Sequence, residues 1–88
     1  MKTFKVQLLS INDVKEFTNF ACQQSFDIDV ISGRYIIDAK SIMGIFSIDL
    51  SRPINVSVHG DEGQRDAFYA LVKRFVVGND SNIADWRD

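Results

Sequence analysis

The chain has 88 residues, of which 45% are apolar and 25% charged, and its net charge at pH 7 is −2. This length suits one domain, and the composition is that of a globular protein rather than a disordered one. The acidic balance gives no electrostatic reason to expect nucleic acid or an anionic membrane as a partner. No apolar run approaches the ~18–20 residues that span a bilayer.

The chain contains one cysteine, Cys22. Small secreted domains usually carry paired cysteines, and residues 1–9 alternate lysine with apolar residues instead of forming the continuous apolar segment of a signal peptide. These features predict a cytoplasmic protein. Because Cys22 falls within a predicted helix, we expect it to be a small residue near the core rather than a reactive thiol.

Hydrophobic periodicity predicts two strands that flank a helix, followed by a third strand, in the first half of the chain. Ser10 offers an N-cap side chain for the helix, and glycine at position 33 supplies the positive φ of a tight hairpin turn. In chain order, the predicted elements are a strand over residues 2–9, a helix over 12–23, a strand over 26–30, a turn at Ser32-Gly33 and a strand over 34–39.

The second half of the chain predicts a short helix, a strand and a longer helix. Asp61 and Gln64 have the spacing of a capping box at the start of the last helix. The predicted elements are a short helix capped by Ser41 and ending near residues 46–49, a strand over 54–58, and a final helix that carries the stripe Phe68, Leu71, Val72 and Phe75 and ends at Gly78. Residues 79–88 are a polar tail, and residues 1–88 form a single domain.

The predicted element order is therefore β-α-β-β-α-β-α. Because each strand has one apolar and one polar face, we expect an α+β fold in which one four-stranded antiparallel sheet is covered on one face by three helices. Two architectures share this order, a ferredoxin-like domain with an extra helix and an open-faced β-sandwich. Periodicity alone does not separate them.

The sequence contains no motif that predicts an enzyme. The histidine at position 59 has the parity of the solvent face of its strand, so we expect a surface histidine. One histidine and one cysteine cannot assemble a zinc site at normal spacing, and glycine-rich phosphate loops are missing. We therefore expect no catalytic residues, no metal and no cofactor.

The segment Ala39-Lys40-Ser41-Ile42-Met43-Gly44 resembles the regulatory-serine segment of HPr proteins, the phosphocarriers of the phosphoenolpyruvate-dependent sugar phosphotransferase system. The hairpin Ser32-Gly33-Arg34 is similar to the family's Asn-Gly-Lys hairpin. The strand 54–58 followed by His59-Gly60-Asp61-Glu62 is similar to the last strand and the acidic opening of the final helix. The resemblance extends over residues 3–77 and implies the open-faced β-sandwich.

The resemblance also implies a chemical loss. HPr proteins carry the phosphoryl group on a histidine at the start of the first helix, followed by an arginine and a proline, and these positions fall on Ser10, Asn12 and Asp13. A serine hydroxyl without a base beside it is a far weaker nucleophile than an imidazole, and Asp13 repels a phosphate dianion. We therefore expect no phosphoryl relay. In this respect the chain resembles the catabolite-repression HPr paralogue, which lacks the histidine and keeps the serine.

Ser41 matches the serine that the HPr kinase/phosphorylase modifies in the family, and the phosphorylated form binds a catabolite-control transcription regulator. By the same resemblance, Ile42, Met43 and Phe46 form a docking patch for enzyme I, the kinase and the regulator. Ile45 and Ile48 are expected to pack in the core. The implied function is a regulatory protein-interaction module. Two alternatives stay open, a phosphocarrier that uses an atypical acceptor such as Ser10 or His59, and a ferredoxin-like ligand-binding module.

Overall fold

The computed structural model describes residues 3–78, and the predicted tail 79–88 lies outside them. The described part contains a sheet, three α-helices and a short 3₁₀ helix (Lys73–Phe75) between the last α-helix and the last strand. No helix of this part is long and apolar enough to cross a bilayer. The elements are β1 (Thr3–Val6), α1 (Ile11–Cys22), β2 (Asp27–Ser32), β3 (Tyr35–Asp38), α2 (Ile42–Phe46), β4 (Ile54–His59), α3 (Glu62–Leu71) and β5 (Val76–Gly78).

The strand order is β3-β2-β4-β1-β5, and every neighbouring pair is antiparallel. β4 therefore separates β1 from β2, with Val6 opposite Ile54 on one side and Ile28 opposite Val58 on the other. A ferredoxin-like sheet places β3 between β1 and β2 instead. The order of the strands thus decides between the two architectures in favour of the open-faced β-sandwich.

Alternation along the strands places the core on one side of the sheet. Val6 of β1, Val30 of β2 and Val56 of β4 are fully buried beneath the helices. Two phenylalanines from the helix layer, Phe17 of α1 and Phe68 of α3, complete this core, with ring centroids 5.9 Å apart in an edge-to-face arrangement. The opposite face carries polar residues on β2 and β4, such as Asp29 and Asn55, but β3 departs from the predicted alternation because Ile36 lies there and is 67% exposed.

The local signals at the turn and at the last helix are confirmed. Gly33 has φ of +61°, the left-handed conformation expected for the first central residue of the β2–β3 hairpin. At the start of α3, Asp61 Oδ1 accepts from the Gln64 amide at 2.8 Å, and Gln64 Oε1 accepts from the Asp61 amide at 3.0 Å. This is the complete capping box that the spacing indicated.

The predicted end of the last helix is wrong. α3 ends at Leu71, and the chain then forms the 3₁₀ turn and a fifth strand, which the prediction of four strands missed. The Gln7 amide donates to the Phe75 carbonyl at 2.9 Å, and Val76 pairs with Val6. The backbone from Phe75 onward therefore bonds to β1 and the residue after it, whereas a continued helix would have bonded within itself. Gly78 is accordingly the last residue of β5 and not a helix terminator.

The expected burial of Cys22 is also wrong. Its neighbour Ala21 occupies the core position, whereas Cys22 is exposed and its thiol donates to the Lys40 carbonyl at 3.6 Å. Cys22 is the last residue of α1, where the helical pattern no longer fixes which side chain faces inward.

Candidate functional site

Ser10 caps the first helix. It lies in extended backbone conformation before α1, and its Oγ accepts from the Asp13 amide at 3.1 Å. The Asp13 carboxylate in turn accepts from the Leu9 amide at 2.9 Å through Oδ2. Both side chains therefore serve the unpaired amides at the helix start. Within residues 3–78 no base accepts a hydrogen bond from this hydroxyl, so it lacks the activation that a serine nucleophile requires.

Charged side chains next to this cap form a small ionic network. Arg74, from the 3₁₀ turn, hydrogen-bonds Glu16 and lies 3.9 Å from Asp13 Oδ1 through Nη2. Its guanidinium also stacks over the Phe75 ring, 4.4 Å from the centroid. The exposed Asn12 completes the first turn of α1. The start of α1 thus presents two carboxylates, Asp13 and Glu16, that are already paired with an arginine, instead of an unpaired cation for a phosphate.

Ser41 is the N-cap of α2, as predicted. Its Oγ accepts from the Gly44 amide at 3.1 Å, and the side chain is exposed at the surface. Ile45, on the inner side of this short helix, is fully buried, as expected. Exposure and capping are compatible, because a hydroxyl that accepts one hydrogen bond still has a second lone pair and its own proton for hydrogen bonds to solvent.

The three residues assigned to the docking patch differ in exposure. Met43 is 76% exposed and Phe46 is 39% exposed. Ile42 is half-buried and packs against the core. Met43 and Phe46 lie three positions apart and therefore share one side of α2. α2 thus has an exposed apolar edge formed by Met43 and Phe46.

The fold adds two apolar residues to that edge that the sequence interpretation missed. Leu9 is 80% exposed and Ile11 is 65% exposed, and both line an open groove with Phe46 and Ser10. The Gln7 side-chain amide donates to the Leu50 carbonyl at 3.2 Å and ties the two walls of the groove together. We call the exposed residues Leu9, Ile11, Met43 and Phe46 the α1–α2 surface. Large apolar side chains that are exposed together in one patch are typical of protein-binding sites.

Gly44 allows α2 to approach the sheet closely. A Cβ at this position would lie 2.6 Å from Ile37 Cγ2 and 3.0 Å from Ser41 Oγ. Any side chain at position 44 must therefore displace α2 or disturb the Ser41 cap. The glycine sets the position of both Ser41 and the apolar edge of α2.

We expect Gly44→Ala to lower the free energy of unfolding by about 1–3 kcal/mol because of this overlap. Urea unfolding followed by circular dichroism measures the change. The matched control is Gly63→Ala in α3, where the nearest atom to a Cβ is Asp61 Oδ1 at 3.5 Å, and where alanine should raise stability by about 0.5–1 kcal/mol. Equal stability of Gly44→Ala and the unchanged chain would contradict the close-packing argument.

His59 lies on the solvent face of the sheet, which confirms the prediction for this residue. Its Nε2 is 2.7 Å from Asp29 Oδ2, and both side chains are partly exposed. It ends β4, whereas Ser10 follows the end of β1 that pairs with the start of β4, so the two residues lie toward opposite ends of the sheet. Within residues 3–78, no three His, Cys, Asp or Glu side chains are arranged to hold a metal ion.

Solved structures of HPr proteins share this fold. HPr-C-His from Thermoanaerobacter tengcongensis is 28% identical and superimposes with a TM-score of 0.66, over 83% of this chain and 92% of that protein. A phosphocarrier protein HPr from Bacillus anthracis is also 28% identical, with a TM-score of 0.61 over 80% of this chain and 92% of the other.

The catabolite repression protein Crh of Bacillus subtilis, crystallised as a swapped dimer, shares the fold at 20% identity, with a TM-score of 0.58 over 82% of this chain and 87% of that protein. No protein-family model and no curated protein matches the chain. The open-faced β-sandwich, its strand order and these structural neighbours define the class of protein. The chain is an HPr-like protein.

Proposed function

We propose that this HPr-like protein is a cytoplasmic protein-interaction module that does not relay phosphoryl groups and that is switched by phosphorylation of Ser41. One observation supports the proposal above others. At the α1 cap, where HPr proteins carry their histidine, this chain has a serine whose oxygen accepts a hydrogen bond from the first turn of the helix. The neighbouring apolar surface is nevertheless exposed. The protein thus keeps the means to bind a partner without the means to carry phosphate.

The residues around the cap support the loss of relay. Asn12 and Asp13 stand where the family has arginine and proline, and Asp13 is already bonded to the Leu9 amide and lies near Arg74. A phosphoryl group at Ser10 would meet the Asp13 carboxylate with no free cation from the first turn of α1. A phosphoserine ester also has too low a transfer potential to pass its group onward.

Ser41 offers a different environment. Its hydroxyl is exposed and caps α2, and Met43 and Phe46 lie on the following turn. A phosphoserine adds a charge of about −1.5 to −2 and three acceptor oxygens. A phosphate at this position would lie beside the exposed apolar edge of α2. A partner could therefore bind the phosphate and the apolar edge at the same time. The partners we propose are the HPr kinase/phosphorylase, a catabolite-control transcription regulator or other phosphotransferase components.

The test is incubation with HPr kinase/phosphorylase and ATP, followed by intact-mass measurement. We expect the mass to rise by one phosphoryl group and the rise to vanish in Ser41→Ala. Ser47→Ala is the matched control, because Ser47 is also exposed and lies at the other end of α2, where its hydroxyl donates to the Gly44 carbonyl. An unchanged mass, or a modification that persists in Ser41→Ala, would remove the proposed switch.

A phosphocarrier with a different acceptor is the second candidate, and the His59–Asp29 contact is the observation that favours it. A carboxylate bonded to one ring nitrogen fixes the orientation of an imidazole. Against it stands the position of His59, toward the opposite end of the sheet from the α1–α2 surface. Acid-labile label from phosphoenolpyruvate and enzyme I that is lost in His59→Ala would favour this candidate over the main proposal.

A further inference from the structure

A second groove lies away from the α1–α2 surface, at the tip of the β2–β3 hairpin. One wall is the hairpin tip, including Gly33 and Arg34, and the other is the loop from α2 to β4, including Asp49, Arg52 and Pro53. Its volume is about 840 Å³, which is large enough for a small organic molecule. The groove exists because the hairpin extends beyond the start of β4.

Apolar and aromatic groups form the floor of this groove. Ile37 and Ile48 are half-buried and pack against the core, and the Tyr35 ring is 63% exposed beside them. Asn55, at the start of β4, adds one half-buried amide side chain. The groove thus combines an apolar floor with walls that make its lining more polar than apolar.

Two arginines stand at the rim; Arg34 has no ion-pair partner within the described residues, whereas Arg52 lies close enough to Asp49 for the two charges to interact. Arg34 follows the glycine of the turn, and Arg52 lies in the opposite wall. The nearby carboxylate, Asp49, accepts from the Ser51 amide at 3.0 Å and the Ser51 hydroxyl at 2.6 Å. These bonds, together with the nearby positive charge of Arg52, hold the pKa of Asp49 below its ordinary value. The groove therefore carries one excess positive charge in a chain whose net charge is −2.

We propose that this groove binds a small organic anion, a phosphate monoester or a carboxylate on an aromatic or apolar body. Guanidinium groups bind phosphate and carboxylate through two parallel hydrogen bonds, which gives both affinity and orientation. The Tyr35 ring and the isoleucine floor accommodate the rest of the molecule. Because the groove shares no residue with the α1–α2 surface or with Ser41, the proposal stands independently of the proposed function.

The test is a titration of the full chain with phenyl phosphate, followed by two-dimensional amide NMR. We expect saturable shifts at Gly33, Arg34 and Asn55, and no comparable shifts with phenol, which lacks the anion. Arg34→Gln and Arg52→Gln should each weaken binding by about tenfold or more, the usual effect of losing a charge-assisted bond. Arg65→Gln is the matched control, since Arg65 lies in α3 and does not line the groove.

Three outcomes would overturn the proposal: shifts that do not saturate, shifts that centre on the α1–α2 surface, and equal affinity in the two groove variants and the control. Both substitutions lie on exposed side chains, so the folded spectrum should survive them. Unchanged shifts of core amides in the free variants establish this before the titration begins.

Discussion

The triple variant S10H/N12R/D13P is expected to accept a phosphoryl group from enzyme I, whereas the unchanged chain is not. The variant places an imidazole at the α1 cap and a cation two residues later, the groups that the family resemblance assigns to phosphoryl transfer. Proline at position 13 is acceptable within the first helical turn because the amide of residue 13 has no backbone partner there, although the substitution removes its bond to Ser10 Oγ. Incubation with phosphoenolpyruvate and enzyme I, followed by intact mass and an acid-lability test, measures the gain.

The matched control for this experiment is N12R/D13P, which keeps Ser10. If the imidazole is the missing group, only the triple variant should carry acid-labile phosphate. Removal of Asp13 also breaks its bond to the Leu9 amide, so both variants need a stability measurement. Acid-labile labelling of the unchanged chain would contradict the expectation and the proposed loss of relay.

Phe17→Ala is expected to lower the free energy of unfolding by about 3–5 kcal/mol, the usual cost of removing a buried phenylalanine ring. Phe17 is fully buried in α1, and its ring makes edge-to-face contacts with Phe68 and Phe75, at centroid distances of 5.9 and 6.3 Å. Small domains are stable by about 5–15 kcal/mol, so the variant should lose roughly a fifth or more of its stability. Urea unfolding gives the change directly.

Phe46→Ala is the matched control for this substitution. Its ring is 39% exposed at the end of α2, so truncation there should cost much less than at Phe17. Equal destabilisation of the two variants would show that the core does not centre on Phe17.

Most of the fold could be predicted from periodicity, because one face of each strand packs on the helices and the other faces water. The failures lie where periodicity is short or interrupted. β5 has three residues, and its valines read as a continuation of the helical stripe until the pairing with β1 is known. The order of the strands also required the structure, since identical patterns suit both architectures.

The candidate site could be predicted in part. The Ser41 cap follows from the local sequence, and the exposed edge of α2 from a helix too short to bury all its sides. Leu9 and Ile11 were missed because Leu9 lies at the end of the predicted strand and Ile11 lies just before the predicted helix, so neither pattern indicated that they are exposed in one patch. Only the end of β1 at Val6 and the packing of α1 beside α2 bring them next to Phe46.

The pairing of β1 with β4 and β5 also fixes where the two ends of the described chain leave the sheet. Thr3 lies opposite Ser57, and β5 runs from Val76, opposite Val6, to Gly78, opposite Lys5. Both ends therefore point away from Leu9 and Ile11. A tether attached at either end should leave the start of α1 accessible to a bulky partner, which makes immobilised protein a suitable bait for capturing one.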